Sequence, residues 1–255
     1  MRLVKKKISW LAVFSILVLL LSSVLPLSAA AAPQDPQTSP LSSPKAYMKY
    51  LKDYSIEDAY ESGITDETAA AEAVGDAEAT LEEFKKLSKK EKEKYLAILN
   101  DPEILEAAFT GEMDKLDKET REDIKWTEEK TEETSSEDGL VSISALSRTI
   151  SGTGTMWVLG VRVTEYKIVG TYEYNSYGVT RVVKTQAYVS RNWNPTVVTD
   201  LSNKDDDVRN GKYYGDAIFY YKIGVGPLGI VQLGNVFIGI VGSKYGKYSG
   251  YFYTK

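Results

Sequence analysis

The sequence predicts an α+β protein whose two kinds of structure lie in separate regions: a short N-terminal helical segment, then an all-β antiparallel sandwich or barrel. Three observations predict it. Residues 33–139 carry 14 basic and 29 acidic residues, a net of −15, whereas 140–255 carry 13 basic and 7 acidic, a net of +6. Composition divides at the same place: 15 of the 19 glycines and 13 of the 18 tyrosines lie in 140–255. Apolar spacing also changes there, from every third or fourth residue to every second.

The first 31 residues read as a signal peptide. Arg2, Lys5, Lys6 and Lys7 precede an apolar run from Ile8 to Leu25, Pro26 breaks it, and Ser28 to Ala32 offers small residues for cleavage. The expected product is secreted and extracellular. Residues 32–44 form a Pro/Ser-rich spacer, whose prolines cannot join helix or sheet ladders.

Residues 45–111 read as an acidic helical region. A short helix covers Lys45 to Leu51. Thr65 and Asp66 suit the start of the next helix, in which Val74, Ala77, Leu81 and Phe84 share one face. Ser88 and Glu91 have capping-box spacing before Tyr95, Leu96, Ile98 and Leu99. Asp101-Pro102 starts a further helix carrying Ile104, Leu105, Ala108 and Phe109, which Gly111 ends. A unit of this size is marginal alone, so intramolecular contact with the β domain is expected. Residues 112–139 read as a charged linker with a helical middle and a Glu/Thr/Ser end.

Residues 140–255 read as a basic, Gly/Tyr-rich β domain. Trp157, Leu159, Val161 and Val163 alternate with more polar neighbours, as do Ala217, Phe219, Tyr221, Ile223 and Val225. Asn175-Ser176-Tyr177-Gly178 is a turn signal. The uncharged run from Ile223 to Gly242 holds six glycines, Pro227, Gln232 and Asn235, which argue against a membrane helix. It is expected to be a core hairpin turning at Gly234-Asn235, with glycines opposite isoleucines. Its length keeps membrane contact open. Asp200 to Asp207, followed by Asn210-Gly211, reads as a solvated loop whose spacing does not match a calcium-binding helix–loop–helix pattern.

The chain has no cysteine and no histidine. This excludes disulfides, thiol nucleophiles, Ser-His-Asp triads and zinc sites built on those ligands. No catalytic residue, metal ligand or cofactor is assigned. Glu165 and Glu173 are too far apart on one extended segment to act as a glycosidase pair. The expected function is non-enzymatic: a cationic β domain contacts an anionic polymer or carbohydrate at a cell surface, shielded by the acidic helical segment. No nucleic acid is expected as partner. The binding candidates are Arg191 and Trp193, in an amide-flanked aromatic loop, with Tyr172, Tyr174 and Tyr188. Two alternatives stand beside this one. The first is a toxin or bacteriocin-like precursor with an acidic pro-region; the second is a carboxylate-dependent hydrolase.

Overall fold

A computed structural model describes residues 39–133, 146–224, 230–246 and 249–255. The expected export signal, most of the expected spacer and the end of the expected linker lie outside the described residues.

The helical layer begins where the local caps place it. Ser43 starts α1 (Pro44–Lys52), and a Ser55/Asp58 capping box starts α2 (Ile56–Glu61). The Asp66 side chain accepts the Ala69 N–H at the head of α3 (Glu67–Lys86). Ser88 and Glu91 form the reciprocal box of α4 (Lys89–Asn100). Asp101 caps α5 (Pro102–Thr110), and Gly111 ends it in the left-handed region at φ 75°. A short helix, α6 (Lys118–Asp123), follows behind the Asp117 cap. Each such cap is worth about 1 kcal/mol. The stripe on α3 buries Ala73, Ala77, Leu81 and Phe84. Phe84 meets Tyr47 and Tyr95 at ring-centroid distances of 5.0 and 5.2 Å, which makes a small aromatic core.

The strands form two four-stranded antiparallel sheets, each in chain order. The first holds β1 (Ile124–Glu133), β2 (Leu146–Val158), β3 (Val161–Tyr174) and β4 (Val179–Asn192). The second holds β5 (Val197–Arg209), β6 (Lys212–Gly224), β7 (Ile230–Gly242) and β8 (Ser249–Thr254). The result is a sandwich, not a closed barrel. The expected alternation appears in β6, where Tyr213, Gly215, Ala217, Phe219, Tyr221 and Ile223 are buried and the residues between them are half-buried.

Glycines seat the aromatic rings between the sheets. Tyr172 and Tyr213 stack at 5.2 Å. A Cβ on Gly170 would lie 2.3 Å from the Tyr213 ring, and one on Gly215 would lie 2.2 Å from its hydroxyl. That hydroxyl is fixed by a 2.7 Å hydrogen bond with Thr185. Gly170→Ala is therefore expected to cost about 1–3 kcal/mol, the range for overpacking a core. Gly75 supplies the opposite sign. It is exposed in α3 with no atom within 4 Å of a built Cβ, so Gly75→Ala should stabilise by about 0.5–1 kcal/mol. Urea midpoints of the two variants check both directions.

Three expectations are corrected. Residues 124–133, read as linker, form β1: Ile124 is buried and the Trp126 ring packs on Phe109 and Phe252 at 5.5 and 5.1 Å. The charged residues after them suit an edge strand, which is protected from further pairing by its charges. Residues 200–207, read as a loop, lie in β5, and the turn comes at Asn210-Gly211 with φ of 51° and 68°. Gly234-Asn235 is not a turn. Both lie inside β7, opposite Tyr221 and Tyr220, so that residues 223–224 end β6 and 230–242 form β7, while 225–229 lie outside the described residues. Glycine seating is real there: Gly234, expected in the turn, lies under the Tyr221 hydroxyl, and Gly239, expected opposite Ile230, pairs with Asp216 and Tyr251.

Helices and sheets share one core. Phe109 on α5 packs on Tyr221 of β6 at 4.3 Å, and Trp126 Nε1 donates to the Ala108 carbonyl. Among the described residues, no helix is long and apolar enough to cross a membrane.

Candidate functional site

The sandwich has two unlike ends. At one end lie the start of β3 and the end of β4, where the helical layer docks. At the other lie the turns after β3, β5 and β7. β3 has 14 residues, so at about 3.3 Å per residue the two ends are roughly 45 Å apart.

The five residues expected to bind are divided between these ends. Arg191, Trp193 and Tyr188 belong to the helical end. Arg191 is 3% exposed. Its guanidinium pairs with Asp76 of α3 and, at 3.2 Å, with Glu165. Trp193 is fully buried, with its ring edge-on to Tyr54 at 4.7 Å. Its carbonyl accepts the Tyr47 hydroxyl, and its N–H donates to Val163. Asn194, the amide beside it, donates to the Leu99 carbonyl. The loop is thus committed to joining the helical layer to the sheets. Burial also acts on the phenols around it: it pushes Tyr54 up to about 12 and Tyr47 well above its ordinary value. Tyr188 is half-buried, and burial again raises its phenol.

Tyr172 and Tyr174 belong to the opposite end. The Arg148 guanidinium lies over the Tyr174 ring, 5.1 Å from its centroid. Tyr172 is buried beneath Gly242 and donates its hydroxyl to the Ser243 carbonyl at 2.9 Å. It supports the floor of a cleft of about 430 Å³ formed by three turns.

The cleft is built from backbone outward. The Asn175 side chain accepts the N–H groups of Tyr177 and Gly178, which closes the first turn. The Val179 N–H donates to the Gly211 carbonyl, so this turn is pinned to the second. The two glycines meet so closely that a Cβ on Gly178 would lie 2.9 Å from Gly211 Cα. Lys244, from the third turn, donates to the Ser176 carbonyl at 2.5 Å, and its ammonium lies 4.8 Å from the Tyr245 ring centroid. Tyr177 is 93% exposed and Tyr245 73% exposed. Among the described residues, Lys212 and Lys244 line the cleft and no carboxylate does.

All three turns come together because alternate turns of an up-and-down chain fall at the same end of the sheets. The sequence marks two of them, Asn175–Gly178 and Asn210-Gly211, but not their meeting. Among the described residues the cleft offers two ammonium groups and two exposed phenol rings.

The carboxylates considered for hydrolysis have separate partners. Glu165 accepts from Ser190, Thr155 and Arg191. Glu173 pairs with Arg181, Asp200 accepts from the Tyr220 hydroxyl, and Asp216 accepts from Tyr251. Among the described residues, no group of three or more Asp or Glu side chains is placed to hold a metal ion. Comparison with protein-family models, with curated proteins and with solved structures finds no match.

Proposed function

We propose that this protein is a secreted, non-enzymatic binder of anionic surface polymers, and that the cleft between the three turns is where it binds. One observation carries the reading: the cleft presents Lys212 and Lys244, with no carboxylate lining it among the described residues, between the exposed rings of Tyr177 and Tyr245. Ammonium groups attract sulfate, phosphate or carboxylate on the polymer, and the phenols supply contact area that rigid rings give at low entropic cost. The acidic helical layer has a part in this. Asp76 and Glu83 pair with Arg191 and Arg162 at the other end. These contacts pair two cations of the β domain at the end away from the cleft.

Dextran sulfate and uncharged dextran are suitable probes, since they share a backbone and differ in charge. The wild-type chain should retain dextran sulfate with an affinity that falls as salt rises. The Lys212→Ala/Lys244→Ala double variant should bind it at least about tenfold more weakly, because charge-assisted hydrogen bonds contribute about 1.5–3 kcal/mol each. Unchanged affinity in the double variant would refute the cleft as the site.

A further inference from the structure

A second cleft, of about 440 Å³, opens at the helical end of the first sheet. We infer that it is a binding site for an uncharged pyranose ring, with Trp157 as the stacking surface. This inference is independent of the anion site at the other end of the sandwich.

Trp157 lies between two core residues, Met156 and Val158, which are 1% and 0% exposed. Alternation along β2 therefore turns the Trp157 ring to the outer surface, where it is half-buried and is not one of the core residues. The ring is nevertheless held. Its Nε1 donates to Thr127 Oγ1 at 2.9 Å, and the Arg162 guanidinium lies 5.9 Å from its centroid. A large aromatic fixed at an outward position beside a cavity is what a sugar needs, because the C–H face of a pyranose packs on an indole.

The wall beside it is strained. Leu159 has φ 50° in the two-residue turn Leu159-Gly160. Asn or Gly is preferred there, since a leucine Cβ crowds the left-handed backbone. The turn is pinned to the end of α6 by the Leu159 N–H donating to the Asp123 carbonyl at 2.8 Å. Strain of this kind persists where a side chain is wanted for another purpose. Here the leucine packs in part on the core and gives the cleft its second apolar wall.

Charge decides the ligand class. The Asp123 carboxylate lies 2.5 Å from the Lys94 ammonium, which also reaches Glu119 at 2.6 Å. Both carboxylates hold the Lys94 proton more tightly, Asp123 foremost. With Asp123 compensated, the lining retains one carboxylate, Glu122, and one ammonium, Lys125. The cleft is close to neutral and offers both acceptors and a donor. An uncharged ring with an apolar face and several hydroxyls matches it; a polyanion does not.

The test is a tryptophan-fluorescence titration of the full chain with maltotriose, cellotriose and chitotriose. A saturable change is expected with at least one of them. Trp157→Ala should weaken binding by about tenfold or more, the scale of a lost stacking contact. Leu159→Asn should raise the thermal midpoint by relieving the turn, yet weaken binding about threefold or more. Lys212→Ala/Lys244→Ala should bind the same sugar as wild type does, which separates this site from the anion cleft. Flat titrations with all three sugars would overturn the inference. So would binding that survives undiminished in a folded Trp157→Ala variant, as judged by an unchanged urea midpoint.

Discussion

Trp193→Ala is expected to destabilise the whole chain by about 3–5 kcal/mol, the cost of removing a large ring from a core. Domains of ordinary size are stable by only about 5–15 kcal/mol, so this one change should bring the protein to the edge of unfolding. The reason lies in where the ring sits. Trp193 is fully buried at the junction of the helical layer and the sheets, against Tyr54. The same residue anchors both sides through its backbone, to Tyr47 and to Val163. The cavity left by alanine would therefore loosen both halves together. Helix content and β-sheet signal should be lost in one urea transition at one lowered midpoint. Loss of helix with the sheets intact would mean two independently folded units. Trp193→Phe should be much milder. The Trp193 Nε1 is buried with no hydrogen-bond partner among the described residues, so phenylalanine forfeits packing volume but no hydrogen bond.

Cutting the chain once between Glu133 and Leu146 is expected to leave the two pieces bound to each other. β1 stays on the N-terminal piece and runs antiparallel to β2 through ten residue pairs, from Ile124 opposite Val158 to Glu133 opposite Thr149. The N-terminal piece adds the ring contacts of Tyr54 on Trp193, Phe109 on Tyr221 and Trp126 on Phe252, and the ion pairs of Arg162 and Arg191. A protease site inserted in this interval, cleaved in the folded protein, should give two fragments that coelute on size exclusion and separate only in denaturant. Spontaneous release of the acidic piece would instead support the reading of that piece as a pro-region. Removal of the acidic half would strip an edge strand from the first sheet and expose the rings of Tyr221 and Phe252, now covered by Phe109 and Trp126.

Both expectations concern features that the sequence showed only in part. The Arg191–Pro195 loop stood out for its aromatic flanked by amides, which are as suited to a ligand as to an interior. The choice between the two depends on what lies above the ring. Tyr54, the residue that covers it, is more than a hundred positions away in the chain. The same distance hid the cleft. Its three turns are separated by whole hairpins, and only the strand order brings Tyr177, Lys212 and Lys244 together. The alternation of Trp157 and Leu159 with more polar neighbours predicts one continuous strand. The turn at Leu159-Gly160 could not be seen from a leucine in a position where Asn is usual.

What the sequence determined by itself was whatever a few neighbouring residues decide. Ser88 with Glu91, Asp101 with Pro102, and Gly111 place helix ends, because a cap satisfies backbone groups within one turn of itself. Alternation in β6 fixes which side chains face inward, because a strand turns over at every residue. What only the tertiary structure decided depends on a partner strand or helix remote in the chain. The charged residues of β1 and the aspartates of β5 have weak strand propensity, and they are held extended by the ladders of β2 and β6. Gly234-Asn235 has the residues of a turn, yet pairing with Tyr221 and Tyr220 keeps it straight, because a continuous ladder and a seated tyrosine outweigh a local preference.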